Sequence, residues 1–446
     1  MIIRSISGVR GITDTNLTES TARIYARALH HILSHGVIMV GMDGRPSGQF
    51  LIQAFVEELS VHGRDVIVCG IVPTPTIQFM VEQTEAVGGV IITASHNPAE
   101  WNGFKFVRED GAFFHLDQCI NLFDRVDEKP EQQTAERRGM IWMENNAIQK
   151  HVIHNVSLKC IDSNAIRKRH FKVVIDAVNA AGSEALPMML DALGCKVIEL
   201  YCDRTGEFVR GTEPLPHNLT DLSKVVVDNQ ADIGFAVDPD ADRLAIVDEK
   251  GHPLGEEYTL AIAGEGYLKT TSRNEPFVVN MSTSMVLEKM AEKYGVAVKR
   301  AAVGEINVVN KMEEIGTLFG GEGNGGVILK EAHLGRDSLV AATLVLNRLA
   351  QVPDPVSNIK LALPQFEIVK DKVLLTDVDV EMVLQKMRAM YSDADINTID
   401  GVKFTWNTSW VHLRKSNTEP IMRIYAEAET AEKAQDLVSK VKRLFN

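Results

Sequence analysis

The chain has 446 residues, 45% of them apolar and 24% charged, the balance of an ordinary globular protein. At roughly 100–200 residues per domain it holds about three or four domains. The net charge of −13, from 47 basic and 60 acidic residues, argues against a nucleic-acid binder but leaves room for a local basic cleft that takes small anions.

The opening "MIIRSISGVRGITD" has no long apolar stretch, and no later run reaches the ~18 apolar residues of a membrane span. A cytoplasmic protein is the simple reading. Cys69, Cys119, Cys160, Cys195 and Cys202 form no CxxC pair and are odd in number, which fits a reducing compartment better than a disulfide scaffold.

"VIMVGMDGR" (37–45) reads as an apolar strand ending in polar turn residues. "RDVIVCGIVPTPT" (64–76) and "VGGVIITASHNP" (87–98) repeat the cue, and "SGQFLIQAFVEELSVHG" between them reads as an amphipathic helix. Such alternation indicates βαβ units. The pattern returns at 171–201 with 231–248, and again at 275–304 with 316–328. Three blocks of comparable size predict three related domains. The tail reads as a smaller α+β domain closed by a helix with apolar positions Ala434, Leu437, Val438 and Val441. The expected domains are 1–150, 151–252, 253–360 and 361–446. The proline-rich stretch 352–366 is the expected joint before the last, and the polar run 127–139 an exposed loop or solvated helix face.

Four segments carry candidate chemistry. Ser95, in "TASHNP", follows an apolar strand, where open α/β sheets bind ligands. It could be a turn or cap residue, but His96 and Lys105 nearby would favour a phosphate on it. In "DPDADR" (238–243), Asp238, Asp240 and Asp242 alternate, and on extended backbone they would share one face. Three carboxylates on one face need a cation, and hard oxygen ligands suit Mg²⁺. Arg243 could bridge to the same phosphate. "GGEGNGG" (320–326) surrounds Glu322 and Asn324 with glycines; it is either a flexible loop or one that approaches a ligand closely, with acceptor and donor for sugar hydroxyls. "RKSNTEPIMR" (414–423) crowds Arg414, Lys415, Ser416, Asn417, Thr418 and Arg423 into a donor cluster suited to phosphate, though a capping segment is the plainer alternative.

With "TASHNP", "DPDADR", "GEGNGG" and "RKSNTEP" in this order, the chain resembles the α-D-phosphohexomutase superfamily over essentially its whole length. That resemblance implies an α/β fold of four domains around a central cleft, three related mixed-sheet α/β domains plus a smaller C-terminal α+β domain, each giving one loop. It implies a phosphoserine at Ser95, and Mg²⁺ held by Asp238, Asp240 and Asp242 together with the Ser95 phosphate. Arg10, His96, Lys105 and Arg243 would serve catalysis, Glu322 and Asn324 the sugar, and Arg414, Ser416, Asn417, Thr418 and Arg423 the non-reacting phosphate. The reaction implied is phosphoryl exchange on a hexose phosphate through a 1,6-bisphosphate, with hinge motion of the last domain. Several members read Gly-Glu-x-Ser-Gly-His in the sugar loop; Gly326 stands at that histidine's position. The acid/base group is therefore open among His96, Lys105 and the segment 301–307, and His333 reads as structural or superficial. Likeness to bacterial chains with "SISGVRG", "GEGNGG" and "SNTEPI" favours a glucosamine phosphate, with mannose or glucose phosphates next. A non-catalytic sugar-phosphate binder is the remote alternative. The expected partners are small hexose phosphates, with no nucleic acid or membrane, and a homodimer is the expected assembly.

Overall fold

The computed structural model of the protein describes residues 2–375, 379–415 and 420–445. Its first three sheets are built on one plan. In the first, strands Trp101–Arg108, Gly88–Ile92, Ile38–Met42 and Val66–Ile71 lie side by side. In the second the order is Leu244–Val247, Ile233–Val237, Lys172–Asp176, Lys196–Leu200. In the third it is Gly326–Leu329, Phe319–Glu322, Phe277–Asn280, Val298–Ala301. Each time the first two strands form an antiparallel hairpin and the rest run parallel to its inner strand. The first sheet adds Ile3–Ser5 and Gly8–Ile12 at one edge and Ile141–Met143 at the other.

This repeat places the chemistry. The segments 93–100, 238–243 and 323–325 are the turns of the same hairpin in three successive domains. The fourth sheet is antiparallel throughout, and its segment 416–420 likewise connects neighbouring strands, Ser409–Lys415 and Ile421–Ala428. Strands such as Gly88–Ile92 and Ile233–Val237 are buried along their whole length because helices cover both faces, which explains their unbroken apolar runs.

One apolar cluster runs through the first three domains, joining Ile77 and Phe79 to Leu186 and to Leu344. The C-terminal domain has its own cluster, including Phe404, Ile424 and Val438. It meets the third domain through polar contacts: Glu427 accepts from Met285 N at 2.8 Å, and Lys403 Nζ donates to Met281 O at 2.7 Å. Such a seam allows relative movement more readily than a shared core does.

One segment differs from expectation. The stretch 352–366 is not simply a loop: Val356–Ala362 is a helix, opened by Pro355 and anchored by buried Val356 and Ile359. Proline at the start of a helix costs no hydrogen bond, so its presence there did not break the element. Residues 128–139 are largely exposed and irregular, as their composition indicates. Among the described residues no helix is long and apolar enough to cross a membrane.

Candidate active site

Ser95 sits in a tight turn with φ +52°, an uncommon region for a residue with a side chain, costing of order 1–2 kcal/mol. A buried arginine holds the turn. Arg45 donates to the carbonyls of Ser95 (2.5 Å), Asn97 (2.8 Å), Pro98 (2.7 Å) and Trp101 (3.0 Å), and through Nε to Asp43 at 2.9 Å. Asp43 also accepts from Thr93 Oγ1 at 2.6 Å, and Thr93 Oγ1 accepts from Ser95 N at 2.8 Å. One guanidinium thus ties together four carbonyls of the serine turn. An Arg45→Met variant keeps much of the bulk but leaves Asp43 and these carbonyls buried without their donor. It is expected to lose about 3–5 kcal/mol of stability, read from denaturant midpoints; a loss under ~1 kcal/mol would show that the loop holds itself.

The strain turns Ser95 toward the second domain. Its Oγ lies 3.4 Å from Asp238 Oδ2 and 3.2 Å from His96 Nδ1. The three aspartates are fully buried. Their convergence does not come from alternation on extended backbone, as the sequence suggested. Residues 238–243 form a turn, closed by Ala241 N donating to Asp238 O at 3.0 Å, with Ala241 at φ +53°. One carboxylate oxygen from each lies within 4.8 Å of the others. Lys105 Nζ donates to Asp240 Oδ2 at 2.6 Å and Asp242 Oδ2 at 3.2 Å, and Thr74 Oγ1 to Asp240 Oδ2 at 2.8 Å. Among the described residues no donor reaches the buried Asp240 Oδ1 or Asp242 Oδ1. Orphaned anionic oxygens in a buried site are costly unless a cation meets them, so the triad fits a divalent cation of the hard, oxygen-seeking kind.

The charges are uneven. Burial, then the neighbouring Asp242 and Asp240, push the Asp238 carboxyl well above its usual range. Burial also works to raise Asp240, but Lys105 and Thr74 overcome it and hold that carboxyl low. Burial, with Arg243 and Arg10 nearby, lowers the His96 imidazole to about 2, so it is neutral at physiological pH. Thr212 Oγ1 bonds to the His96 carbonyl, tying the serine loop to the second domain. Arg10 donates to Asn97 Oδ1 at 2.5 Å, and Arg243 Nε stands 3.9 Å from Asp238 and 3.7 Å from Asp242.

A cleft of about 700 Å³ opens in front of these groups and is lined from all four domains. Arg10, His96, Lys105, Arg243, Glu322, Asn324, Arg414 and Arg423 all border it. Glu322 closes its strand with both oxygens engaged: Oε1 accepts from Asn280 Nδ2 (2.7 Å) and Gly304 N (2.9 Å), Oε2 from Arg336 NH1 (2.7 Å). The turn 323–325 rests on the hairpin that carries 238–243, Leu244 N donating to Gly325 O at 3.0 Å. Gly325 has φ +85°, and a Cβ there would lie 2.4 Å from Leu244 O, so glycine is required. Across the cleft, Arg414 and Arg423 are paired in register on adjacent strands. Arg414 is also paired with Asp400 at 2.8 Å, and the two arginines side by side suit a bound dianion. Ser416, Asn417 and Thr418 lie outside the described residues.

Some of the groups here carried no signal in the sequence. Arg336 and Lys370 border the cleft, although no motif marks them; Glu305, in the segment 301–307, borders it too. Arg45 and Asp43 stand just past an apolar strand, as Asp238 does, and that position was the available cue. His333 is fully buried, not superficial: with His151 it bonds Asp337 Oδ2, at 3.3 and 3.0 Å. This cluster lies where the helices Thr74–Glu82, Ala147–Val156 and Ser338–Ala350 meet, away from the cleft.

Repeated hairpin turns converging on a buried serine, an acidic triad and a cationic rim define an α-D-phosphohexomutase. Models of the phosphoglucomutase/phosphomannomutase α/β/α domains I, II and III match residues 2–133, 149–251 and 255–366, and the C-terminal domain model matches 368–444. The chain belongs to the phosphoglucomutase/phosphomannomutase family. It is 33% identical to a probable phosphoglucosamine mutase of Methanopyrus kandleri, over 97% of this chain and 95% of that one. It is 33% identical to a phosphoglucomutase/phosphomannomutase of Thermococcus kodakarensis, over 96% and 95%. A crystal structure of a phosphoglucomutase/phosphomannomutase family protein from Burkholderia thailandensis superposes with a TM-score of 0.85 at 26% identity, covering 99% and 97%.

Proposed function

We propose that the protein is a phosphoglucosamine mutase, interconverting glucosamine 6-phosphate and glucosamine 1-phosphate through a phosphoserine at Ser95. The observation that carries the reading is Ser95 Oγ 3.4 Å from Asp238, buried directly behind His96 and Arg243, which line a cleft that all four domains share. In the first half-reaction the phosphoryl bond to Ser95 Oγ breaks as one forms to a sugar hydroxyl. The hydroxyl proton ends, in net, on Ser95 Oγ. The bisphosphate turns over in the cleft, and its other phosphoryl group returns to Ser95 by the reverse step. Such transfer needs position and charge neutralisation more than covalent chemistry. Mg²⁺ held by Asp238, Asp240 and Asp242 would neutralise charge on the transferring phosphoryl group. Lys105, Arg10 and Arg243 hold fixed positive charge around it. Arg414 and Arg423 anchor whichever phosphate is not reacting.

Glu305, in the segment 301–307, borders the cleft with Oε2 bonded by Arg336 Nε at 3.0 Å, and is the candidate for carrying the proton. Burial pushes its carboxyl above the usual range, although Arg336 opposes the shift. His96 is too acidic for the task, and Lys105 is committed to two aspartates. The amino-sugar assignment is supported by the Methanopyrus kandleri relative and by the carboxylates of Glu213 and Glu256 along the cleft, which suit a substrate ammonium. The Thermococcus kodakarensis relative favours the second reading, a phosphomannomutase/phosphoglucomutase. The test compares kcat/KM of Mg²⁺-loaded, bisphosphate-primed enzyme on the 1-phosphates of glucosamine, glucose and mannose. A preference for glucosamine of about tenfold, or ~1.4 kcal/mol, is expected. Preference for glucose or mannose overturns the substrate and leaves the chemistry standing.

A further inference from the structure

Arg336 occupies the space that a side chain at Gly326 would need. A Cβ on Gly326 would lie 2.3 Å from Arg336 Cδ and 2.9 Å from its Cγ, so the arginine stem fills that space. Its guanidinium is nearly buried and bonds three carboxylates from three separate segments. NH2 donates to Asp242 Oδ2 at 2.6 Å, NH1 to Glu322 Oε2 at 2.7 Å, and Nε to Glu305 Oε2 at 3.0 Å. Asp242 belongs to the metal loop of the second domain, Glu322 to the sugar loop of the third. The backbone of the segment is fixed as well, by the bridge between Ile328 and Arg336 and by Ser338 Oγ donating to Ala241 O at 2.7 Å.

We propose that Arg336 is a positioning residue that joins the metal loop to the sugar loop, and that Gly326 lacks a side chain to admit it. The inference rests on the mutase reading. A guanidinium is planar and presents its N–H groups in a fixed fork, so carboxylates bonded to it are held at fixed relative positions. At Asp242 it joins Lys105 on Oδ2 and leaves Oδ1 without a donor, beside the orphaned Oδ1 of Asp240. At Glu322 it holds one oxygen while Asn280 and Gly304 hold the other. One group thereby sets the orientation of a cation ligand and of a sugar ligand across a domain boundary. Lysine carries the charge but has a single donor atom and cannot bridge three carboxylates in one plane.

The test uses Mn²⁺ as the probe cation, its binding followed by electron paramagnetic resonance, alongside steady-state kinetics. R336K and G326A are each expected to weaken Mn²⁺ binding about tenfold and to lower kcat about a hundredfold. G326A leaves the arginine and its charge in place, so the result does not depend on R336K folding. In an R336A background the G326A change has no stem to displace and is expected to add less than about threefold. Unchanged Mn²⁺ affinity in both R336K and G326A overturns the proposal. So does G326A that is as harmful without the arginine as with it. If the wild-type protein interconverts no hexose phosphate, the mutase reading fails, and the Mn²⁺ measurements still decide the role of Arg336.

Discussion

A Ser95→Ala variant is expected to lose at least about 10⁴-fold in mutase turnover, equivalent to about 5.5 kcal/mol of transition-state stabilisation. The change is small in structural terms. Alanine meets the same φ of +52° that serine does, and Arg45 bonds the carbonyl of residue 95, not its side chain. The hydroxyl removed has one carboxylate acceptor, Asp238, at a long 3.4 Å. The variant should therefore melt within a few degrees of wild type and still bind hexose phosphate by calorimetry. What it lacks is the oxygen proposed to carry the phosphoryl group. Incubation with a labelled hexose 1,6-bisphosphate should leave label on wild-type protein, mapped by mass spectrometry to Ser95, and none on the variant. Turnover within tenfold of wild type would remove Ser95 from the chemistry, whatever its position in the cleft.

The sheet strands were legible because helices cover both faces. A strand such as "GGVII" or "IGFAV" is apolar throughout, and a polar group directly after it stands at a sheet's carboxyl edge. That rule located Ser95 and Asp238. It applied equally to Asp43 and Arg45, and the reading passed over them, because an Asp–Gly–Arg turn looks like any strand exit. The repeat of the hairpin was visible only as three similar blocks. That the serine, metal and sugar loops are the same turn in each block required strand order, which apolar runs do not encode.

The convergence of Asp238, Asp240 and Asp242 was foreseen for a reason that does not apply. Alternate side chains share a face on a strand, but here a turn with Ala241 at φ +53° gathers them. Arg336 was invisible for a different cause. Its partners Asp242 and Glu322 lie 94 and 14 residues away, on elements that meet only when the second and third domains pack. His333 shows the converse. The sequence left it structural or superficial, and helix packing makes it structural, buried against Asp337.

Removing the divalent cation should reverse the sign of one mutation. Carboxylate oxygens within 4.8 Å of one another repel by roughly 3.5 kcal/mol per ionised pair at an effective dielectric of 20. Lys105 and Arg336 offset part of this, and Asp238 is the aspartate whose charge is least favoured, because burial and both other aspartates oppose it. In the presence of chelator, Asp238→Asn is therefore expected to melt higher than wild type. The amide oxygen can still accept from Arg243 N, which now donates to Asp238 Oδ1 at 3.2 Å. In saturating Mg²⁺ the order should invert. Wild type gains about 2.7 kcal/mol at a hundredfold excess over its Kd, and a variant short of one anionic ligand gains much less. Activity follows the cation: chelator should lower wild-type turnover about 10³-fold, or about 4 kcal/mol, with recovery on adding Mg²⁺. Asp238→Asn should stay inactive at every Mg²⁺ concentration. Melting curves with and without Mg²⁺ test both halves. A variant less stable than wild type in chelator would mean that Lys105 and the surrounding arginines already neutralise the triad, and that the aspartates hold those cations in place instead of awaiting a metal.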